Sequence, residues 1–486
     1  MTQTAIPSEL VDTLRGIVGA EQVLTHDDPK ADLTAWEQDW RGHRRGTALA
    51  VVRPASTEEV ALVVAACAAA GTSIVPQGGN TGLVDGSTPD DTGTQLVLSL
   101  ARMNAVRAID PANLTVTVEA GCILQNLQDA CEKAGFLFPL SLAAEGSCTI
   151  GGNLGTNAGG TQVVRYGNTR ELCLGLEVVT ASGEVWNGLA GLRKDNTGYD
   201  LRHLFIGSEG TLGVITAATM KLYPLPAARL TAWASAASLY DAVKLLGLAH
   251  AYLGAGLTGF EVMGRFALQL TAKHFPDMRI PLYENENASW CVLLENSDHE
   301  SDEHARRQFE RLLEAALEKG CVSDAVVAES IAQAQALWQV REHIPLAQAQ
   351  EGLNIKHDVS IPISLIPEFC AKTDAELTGE LAGARLVVYG HLGDGNLHYN
   401  VQAPDGQDAK AFMKEHEARV NDIVYESVSR FAGSISAEHG VGSMKVEKLE
   451  HFKAPVALAM MRSIKQALDP RNLMNPGRVV RMPAPH

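Results

Sequence analysis

Two histidines bracket a short polar turn in His391-Leu392-Gly393-Asp394-Gly395-Asn396-Leu397-His398. Glycine on either side of Asp394 favours a reversal, so the segment reads as a strand, a turn and a returning strand that brings the two imidazoles together at the hairpin base. Farther on, Glu438 and His439 lie on a loop between a helical stretch and Gly440. Two imidazoles and one carboxylate make a three-ligand set with open positions, the form taken by catalytic zinc or another divalent ion. A lone histidine is more often a hydrogen-bonded structural residue. Three histidines and a glutamate in two glycine-flanked loops weigh evenly between that reading and a metal site. The residues by themselves do not choose between zinc, manganese and iron.

Two further stretches could hold an anion: Pro76-Gln77-Gly78-Gly79-Asn80-Thr81-Gly82-Leu83, and Gly151-Gly152-Asn153-Leu154-Gly155-Thr156-Asn157-Ala158-Gly159-Gly160. Each combines glycine, able to take positive φ, with asparagine, the next most tolerant residue. Loops of this kind can aim successive backbone N–H groups at one anion. Neither contains Lys or Arg, so a pyrophosphate would be met by amide dipoles, which suits a buried dinucleotide. Tight connections are the plainer use of glycine; two such loops beside strands tilt the balance toward a ligand. No G-x-G-x-x-G with an acidic residue about 20 positions on follows a strand, and no G-K-[ST] occurs, which disfavours a Rossmann NAD site and a P-loop.

The elements that must position these groups follow a consistent order. Ala48 to Val52 reads as a strand, and Ser56-Thr57-Glu58-Glu59 is a capping box for a helix ending at Gly71. Strands follow at residues 73–76, 96–100 and 114–119, then a helix at 123–134. A hairpin at 174–179 and 184–186 turns at Ala181-Ser182-Gly183, and residues 212–222 form another strand. Pro224 and Pro226 mark the main boundary. Beyond it, strands near 230–236, 289–295, 324–328, 357–361, 385–390 and 397–402 alternate with helices, the α+β pattern of an antiparallel sheet covered by helices, here on one side. A helix at about 454–468 closes the chain. The expected organisation is an N-terminal helical segment (1–45), a two-part nucleotide-binding domain with glycine-rich phosphate loops (46–226), a substrate or cap domain with the metal site (227–450), and a C-terminal segment packing back on the first domain (451–486).

Chain-wide properties fit this plan. The 486 residues exceed the about 250 to 300 that one core supports. Forty basic against fifty-seven acidic residues leave a formal charge of -17, which repels phosphate backbones and argues against a nucleic-acid partner. An anionic substrate must therefore find local cations. Cys67, Cys122, Cys131, Cys148, Cys173, Cys291, Cys321 and Cys370 are scattered, without C-x-x-C, as expected of reduced thiols in a cytoplasmic protein. The longest apolar run, Val60 to Ala70, is too short for a transmembrane segment, and the first forty residues carry neither a signal nor a transit pattern.

The motifs taken together resemble the vanillyl-alcohol-oxidase type of FAD-linked oxidoreductases, and within it the D-2-hydroxyglutarate and D-lactate dehydrogenases, to which the FAD subunit of glycolate oxidase is similar. The matching blocks are Pro76 to Leu83, Gly146-Ser147-Cys148-Thr149-Ile150-Gly151-Gly152-Asn153, Thr156 to Gly160, Asp195 to Leu201, Gly207-Ser208-Glu209-Gly210-Thr211-Leu212-Gly213, His391 to His398, and Ser436-Ala437-Glu438-His439-Gly440. The resemblance implies FAD in the N-terminal domain, its pyrophosphate on the two glycine loops, with Gly146, Ser147, Gly213 and Ile215 as further contacts, and its isoalloxazine toward the second domain. It also implies a divalent metal, zinc first, on His391, His398 and Glu438, with His439 as base. Arg341 and Lys356 match positions that hold a substrate carboxylate; on pattern alone both would be solvated charges.

Four departures stand out. Asn80 occupies the position of a flavin-linking histidine, so dissociable FAD is expected. Asp85 stands where glycine is usual, and Glu145 where several relatives have lysine. Pro345 replaces a hydroxyl residue of the 2-hydroxyglutarate enzymes. The implied activity is oxidation of a small D-2-hydroxy acid by hydride transfer to flavin, with electrons passing to an electron-transfer flavoprotein or quinone, in a chain for which a homodimer is also an expectation. Two alternatives stay open: an oxidase using oxygen, and a non-catalytic flavoprotein subunit of a redox complex.

Overall fold

Ala48–Val52 is apolar at every position, which suits a strand covered on both faces, and all five residues are buried. The structure, a computed structural model, describes residues 8–29, 31–285 and 288–483. Of the expected terminal segments, residues 1–7, Lys30 and 484–486 lie outside the described residues. Contacts divide the chain into two units. One comprises the residues up to Gly159, Asn168–Pro224 and everything from Glu438 on; the other comprises Gly160–Gly167 and Leu225–Ala437.

Besides a two-stranded ladder of Phe136–Leu137 with Tyr223–Pro224, the first unit holds two larger sheets. In one, Ala48–Val52, Gln95–Ser99 and Ile74–Gln77 run parallel, with Val23–Leu24 antiparallel on the edge. The crossover helix Thr57–Ala70 begins where the capping box predicts. Ser56 Oγ accepts the Glu59 N–H at 3.2 Å, and Glu59 in turn accepts from Ala55 N at 2.7 Å; such a cap contributes about 1 kcal/mol. Gly71 ends this helix at φ 70°. The second sheet is antiparallel and five-stranded, in the order Val106–Asp110, Thr115–Glu119, Gly213–Lys221, Cys173–Thr180, Val185–Gly188. Its first strand escapes the sequence reading because it is a largely exposed edge whose short apolar pattern is broken by Arg107 and Asp110.

One glycine stretch is not the loop its composition suggests. Ile150–Thr156 is a short helix, α1, with Thr149 at its N-cap and Asn157 at φ 51° at its C-cap. Three glycines in seven residues oppose helix formation, and tertiary packing overrides that preference.

The second unit is built on a seven-stranded antiparallel sheet. From one edge its strands are Asp324–Val327, Ala228–Ala236, Trp290–Asp298, β1 (Leu257–Gly264), β2 (Arg385–His391), β3 (Asn396–Gln402) and Asn354–Ser360. The α+β layering is as expected, with one correction: helices cover both faces. Arg265–His274 and α2 (Ile331–Glu351) pack on Trp233, Met263, Val387 and Tyr389. Strand β1 is nonetheless buried at every residue, because Leu239–Leu253 packs on its other side, beside Asp302–Glu318 on the neighbouring strands Ala228–Ala236 and Trp290–Asp298. The sequence reading passes over β1, whose two glycines and one acid interrupt any alternation.

Candidate active site

A cleft of about 1400 Å³, counted with its open mouth, runs through the first unit. Its walls are Pro76 to Val84, residues 142–144, much of α1, Ser208 to Gly210, Gly213 to Ile215, and Glu438 and His439. All eight residues Pro76 to Leu83 line it, as do Gly151, Gly152, Asn153, Thr156, Gly159, Gly213 and Ile215. Gly146, Ser147, Asn157 and Gly160 do not. Ser147 lies behind the first loop, its carbonyl 2.1 Å from where a Cβ on Gly79 would sit. Asn157 caps α1 and accepts the Arg170 N–H at 3.0 Å, and Gly160 belongs to the short segment of the second unit.

The two glycine stretches differ in what they offer a ligand. In the first, the N–H groups of Gly78, Gly79, Asn80, Thr81 and Gly82 meet no acceptor among the described residues. In the second, Ile150 N–H is taken by Cys122 O at 3.0 Å and Gly151 N–H by Ala120 O at 2.7 Å. The longer row of open amides thus lies in the first stretch, while in the second the N–H of Gly159, also on the cleft wall, meets no acceptor among the described residues. Nor do these glycines serve mainly to adopt positive φ: between residues 76 and 87 only Asn80 (φ 52°) and Asp85 (φ 56°) do so. Gly78 and Gly79 instead allow close approach, since a Cβ on either would fall 2.3 Å from Thr149 Oγ1 or 2.1 Å from Ser147 O.

The departures find physical accounts in the same region. Asn80 turns its amide into the protein, donating to Gln38 O at 2.8 Å and Ala35 O at 3.2 Å and accepting from Ser87 Oγ at 2.9 Å. Asp85 holds the left-handed backbone that glycine takes easily and gains bonds with Ser443 Oγ at 2.8 Å and Arg44 at 3.1 Å. Burial pushes its carboxyl up, against the pull of Ser443, Arg44 and Arg478. Glu145 braces the 142–148 loop, accepting from Leu142 N at 3.1 Å and Gln128 Nε2 at 3.3 Å.

Glu209 fixes the loop that carries His439. Its two carboxylate oxygens accept the N–H groups of Val441 and Gly442, each at 2.7 Å, while its own N–H donates to Gly155 O in α1 at 2.8 Å. Burial pushes this carboxyl up, opposed by the two amides and Lys445. An acid between two glycines in Gly207-Ser208-Glu209-Gly210 was the available signal. Glu438 and His439 thus fold with the cleft although they fall in the expected 227–450 stretch.

In the second unit, β2 and β3 form the hairpin that the His391 to His398 segment predicts, with Tyr389 opposite His398 and His391 opposite Asn396. The two imidazole centroids lie 5.6 Å apart with planes at 75°. His391 is buried; its Nδ1 lies 2.6 Å from Glu261 Oε1. The other oxygen of Glu261 accepts Arg341 Nε from α2 at 2.8 Å, and the guanidinium lies over the Tyr389 ring at 4.7 Å. Burial raises the Glu261 carboxyl, but His391 and Arg341 outweigh it and hold it down at about 2. Lys356 is exposed, two residues before Asp358. Asp358 pairs with His398 across the sheet, so strand alternation puts Lys356 on the face of His398 and His391. Pro345 sits inside α2 and cannot donate to the carbonyl of Arg341 one turn back.

Residues 48–188 match the FAD binding domain family, and residues 225–479 match the family described as FAD linked oxidases, C-terminal domain. The chain is a member of the FAD-linked oxidases. It is 38% identical over 477 residues to "D-2-hydroxyglutarate dehydrogenase, mitochondrial" of Arabidopsis thaliana, covering 98% of this chain and 82% of that one. It is also 38% identical to "D-2-hydroxyglutarate dehydrogenase" of Xanthomonas citri pv. viticola, covering 92% of this chain and 93% of the relative. Among solved structures, p-cresol methylhydroxylase with substrate bound shares the fold at a TM-score of 0.75 and 18% identity, over 98% of this chain and 97% of that one. This FAD-linked oxidoreductase has, among its described residues, no helix long and apolar enough to cross a membrane.

The cleft of this FAD-linked oxidase fits the cofactor on its own terms. Beside the row of first-loop amides, Asn153 is 4% exposed and its Nδ2 meets no partner among the described residues. An orphaned buried donor is costly unless a ligand satisfies it. Gly152 supplies the test: a Cβ there would meet only Thr149 Oγ1, at 3.4 Å, so a side chain would extend into the cleft without disturbing the protein. Gly152→Val should fold normally and bind FAD at least roughly tenfold more weakly, read by fluorescence titration of the apoprotein; unchanged affinity would remove this wall from the site. Acid-precipitated parent enzyme should release intact FAD to the supernatant, since Asn80 forms no flavin bond.

Proposed function

We propose that this enzyme oxidises a D-2-hydroxy acid to the 2-oxo acid, with FAD held non-covalently and a divalent ion, zinc first, held by His391, His398 and Glu438. The observation that carries the reading is the set on one face of the second unit's sheet: a buried arginine, Arg341, and two hairpin imidazoles. An anionic substrate approaching a chain of formal charge -17 needs such a local cation. The names of the relatives support the D-2-hydroxy acid class.

FAD, when bound, accepts the hydride that leaves the α-carbon. A divalent ion, when bound, lowers the pKa of the substrate hydroxyl. The chain's own residues do the rest. Arg341 holds the substrate carboxylate with the Nη groups not engaged by Glu261, and Lys356 gives a second cation on that face, which favours a dicarboxylate such as D-2-hydroxyglutarate over D-lactate. His439 takes the hydroxyl proton on an imidazole nitrogen as the carbonyl forms. Asn153 and the amides of the first glycine loop hold the dinucleotide. Electrons then leave to a separate acceptor, an electron-transfer flavoprotein or quinone. The eight buried thiols suit a reducing compartment, and the cytoplasm is the one we propose.

Mixing the FAD-loaded enzyme anaerobically with D- and L-2-hydroxy acids tests the reading. Flavin bleaching by D-2-hydroxyglutarate, and not by its L-enantiomer, is the expected result; a flavin that stays oxidised with every acid would leave no place for the proposed reaction.

A further inference from the structure

We infer that Glu261 is a positioning residue that ties the substrate-anchoring arginine to the imidazole pair, so that one carboxylate sets the geometry of both. The inference rests on the function proposed above. Glu261 is fully buried in β1, the one acid among Phe260, Val262 and Met263. A buried carboxylate in such a run persists only when paired, and here its two oxygens go to different elements: Oε1 to His391 Nδ1 at 2.6 Å and Oε2 to Arg341 Nε at 2.8 Å.

Each bond has a directional consequence. An ionised carboxylate only accepts hydrogen bonds, so the Nδ1 of His391 carries the proton and Nε2 presents the lone pair that a metal ion requires. Carboxylates behind metal-ligating histidines act in this way, fixing both tautomer and ring orientation. On the arginine side, the bond at Nε and the Tyr389 ring 4.7 Å from the guanidinium fix the plane of the group, which leaves the Nη groups as the donors for a second carboxylate. A mere core ion pair would need neither His391 nor the stacking on Tyr389.

The test uses Glu261→Gln in the FAD-loaded enzyme. Its amide oxygen can accept from one of the two donors, and its NH2 must face the other. Zn²⁺ affinity, measured by chelator competition, should fall by roughly 10- to 100-fold, and KM for D-2-hydroxyglutarate should rise, with FAD content unchanged. A folded variant whose Zn²⁺ affinity and KM both stay within about twofold of the parent overturns the inference. Should the variant fail to fold, imidazole ¹⁵N spectra of the metal-free parent decide, with His391 assigned by comparison with His391→Asn. The Nδ1-H tautomer is expected, and the Nε2-H tautomer overturns the inference. Absence of Zn²⁺ binding by the parent would count against the proposed function alone, because the tautomer and the KM effect still judge Glu261.

Discussion

Dialysis of the FAD-loaded enzyme against a strong chelator should abolish flavin reduction by the hydroxy acid and leave the flavin absorption bands nearly unchanged. The first-loop amides belong to the first unit, whereas His391 and His398 stand on a hairpin of the second; of the three proposed ligands only Glu438 also lines the cleft, so loss of the ion leaves the amide row in place. Without a divalent ion the hydroxyl keeps a pKa far above neutrality, and a base of ordinary strength takes its proton slowly. His391→Ala should reproduce the effect of chelation, with one addition: Glu261 Oε1 loses its 2.6 Å partner in a buried setting, costing about 1 to 3 kcal/mol of stability. His398 makes no such bond to Glu261 and is only half-buried, so His398→Ala should lose metal and activity with a smaller fall in Tm. Full turnover by rigorously metal-free protein would sink the metal assignment, and the added Zn²⁺ or Mn²⁺ that restores chelated enzyme would identify the ion.

How far these groups could be read from the sequence depended on whether their partners were local. The His391 to His398 hairpin was legible because its turn, Gly393-Asp394-Gly395, lies between the two strands it joins. The capping box at Ser56 was legible for the same reason. Glu261 was not: its partners are 80 residues away at Arg341 and 130 away at His391, and an acid in Phe260-Glu261-Val262 signals nothing until the sheet brings them together. The helix at Ile150–Thr156 was hidden by its own glycines, of which Gly151 serves close contact with a distant segment. A Cβ on Gly151 would fall 2.6 Å from Ala120 Cβ. Composition thus marked two stretches that line the cleft and misjudged the conformation of the second, because close approach and positive φ both select glycine. The clamp of Glu209 on Val441 and Gly442 is likewise a long-range event between two segments that were each recognised only as motifs.

That clamp also bears on His439. Because Glu209 holds the backbone just beyond His439 through two 2.7 Å bonds, replacing the imidazole should leave the loop in place, and His439→Asn should purify with its full complement of FAD. If His439 is the base, anaerobic flavin reduction should nevertheless slow by roughly 10² to 10⁴-fold, the usual worth of a positioned general base. The pH dependence should change as well. In the parent, the reduction rate falls on the acid side as the imidazole gains a proton and can no longer accept one; in the variant, that limb should flatten. A histidine with only a structural duty would behave in the opposite way, lowering Tm or FAD retention while leaving the reduction rate and its acid limb near the parent's. Stopped-flow reduction across pH, run beside thermal melts and flavin content on the same preparations, separates the two cases. A well-folded, FAD-loaded variant that still reduces its flavin within about tenfold of the parent rate would move the base to another residue.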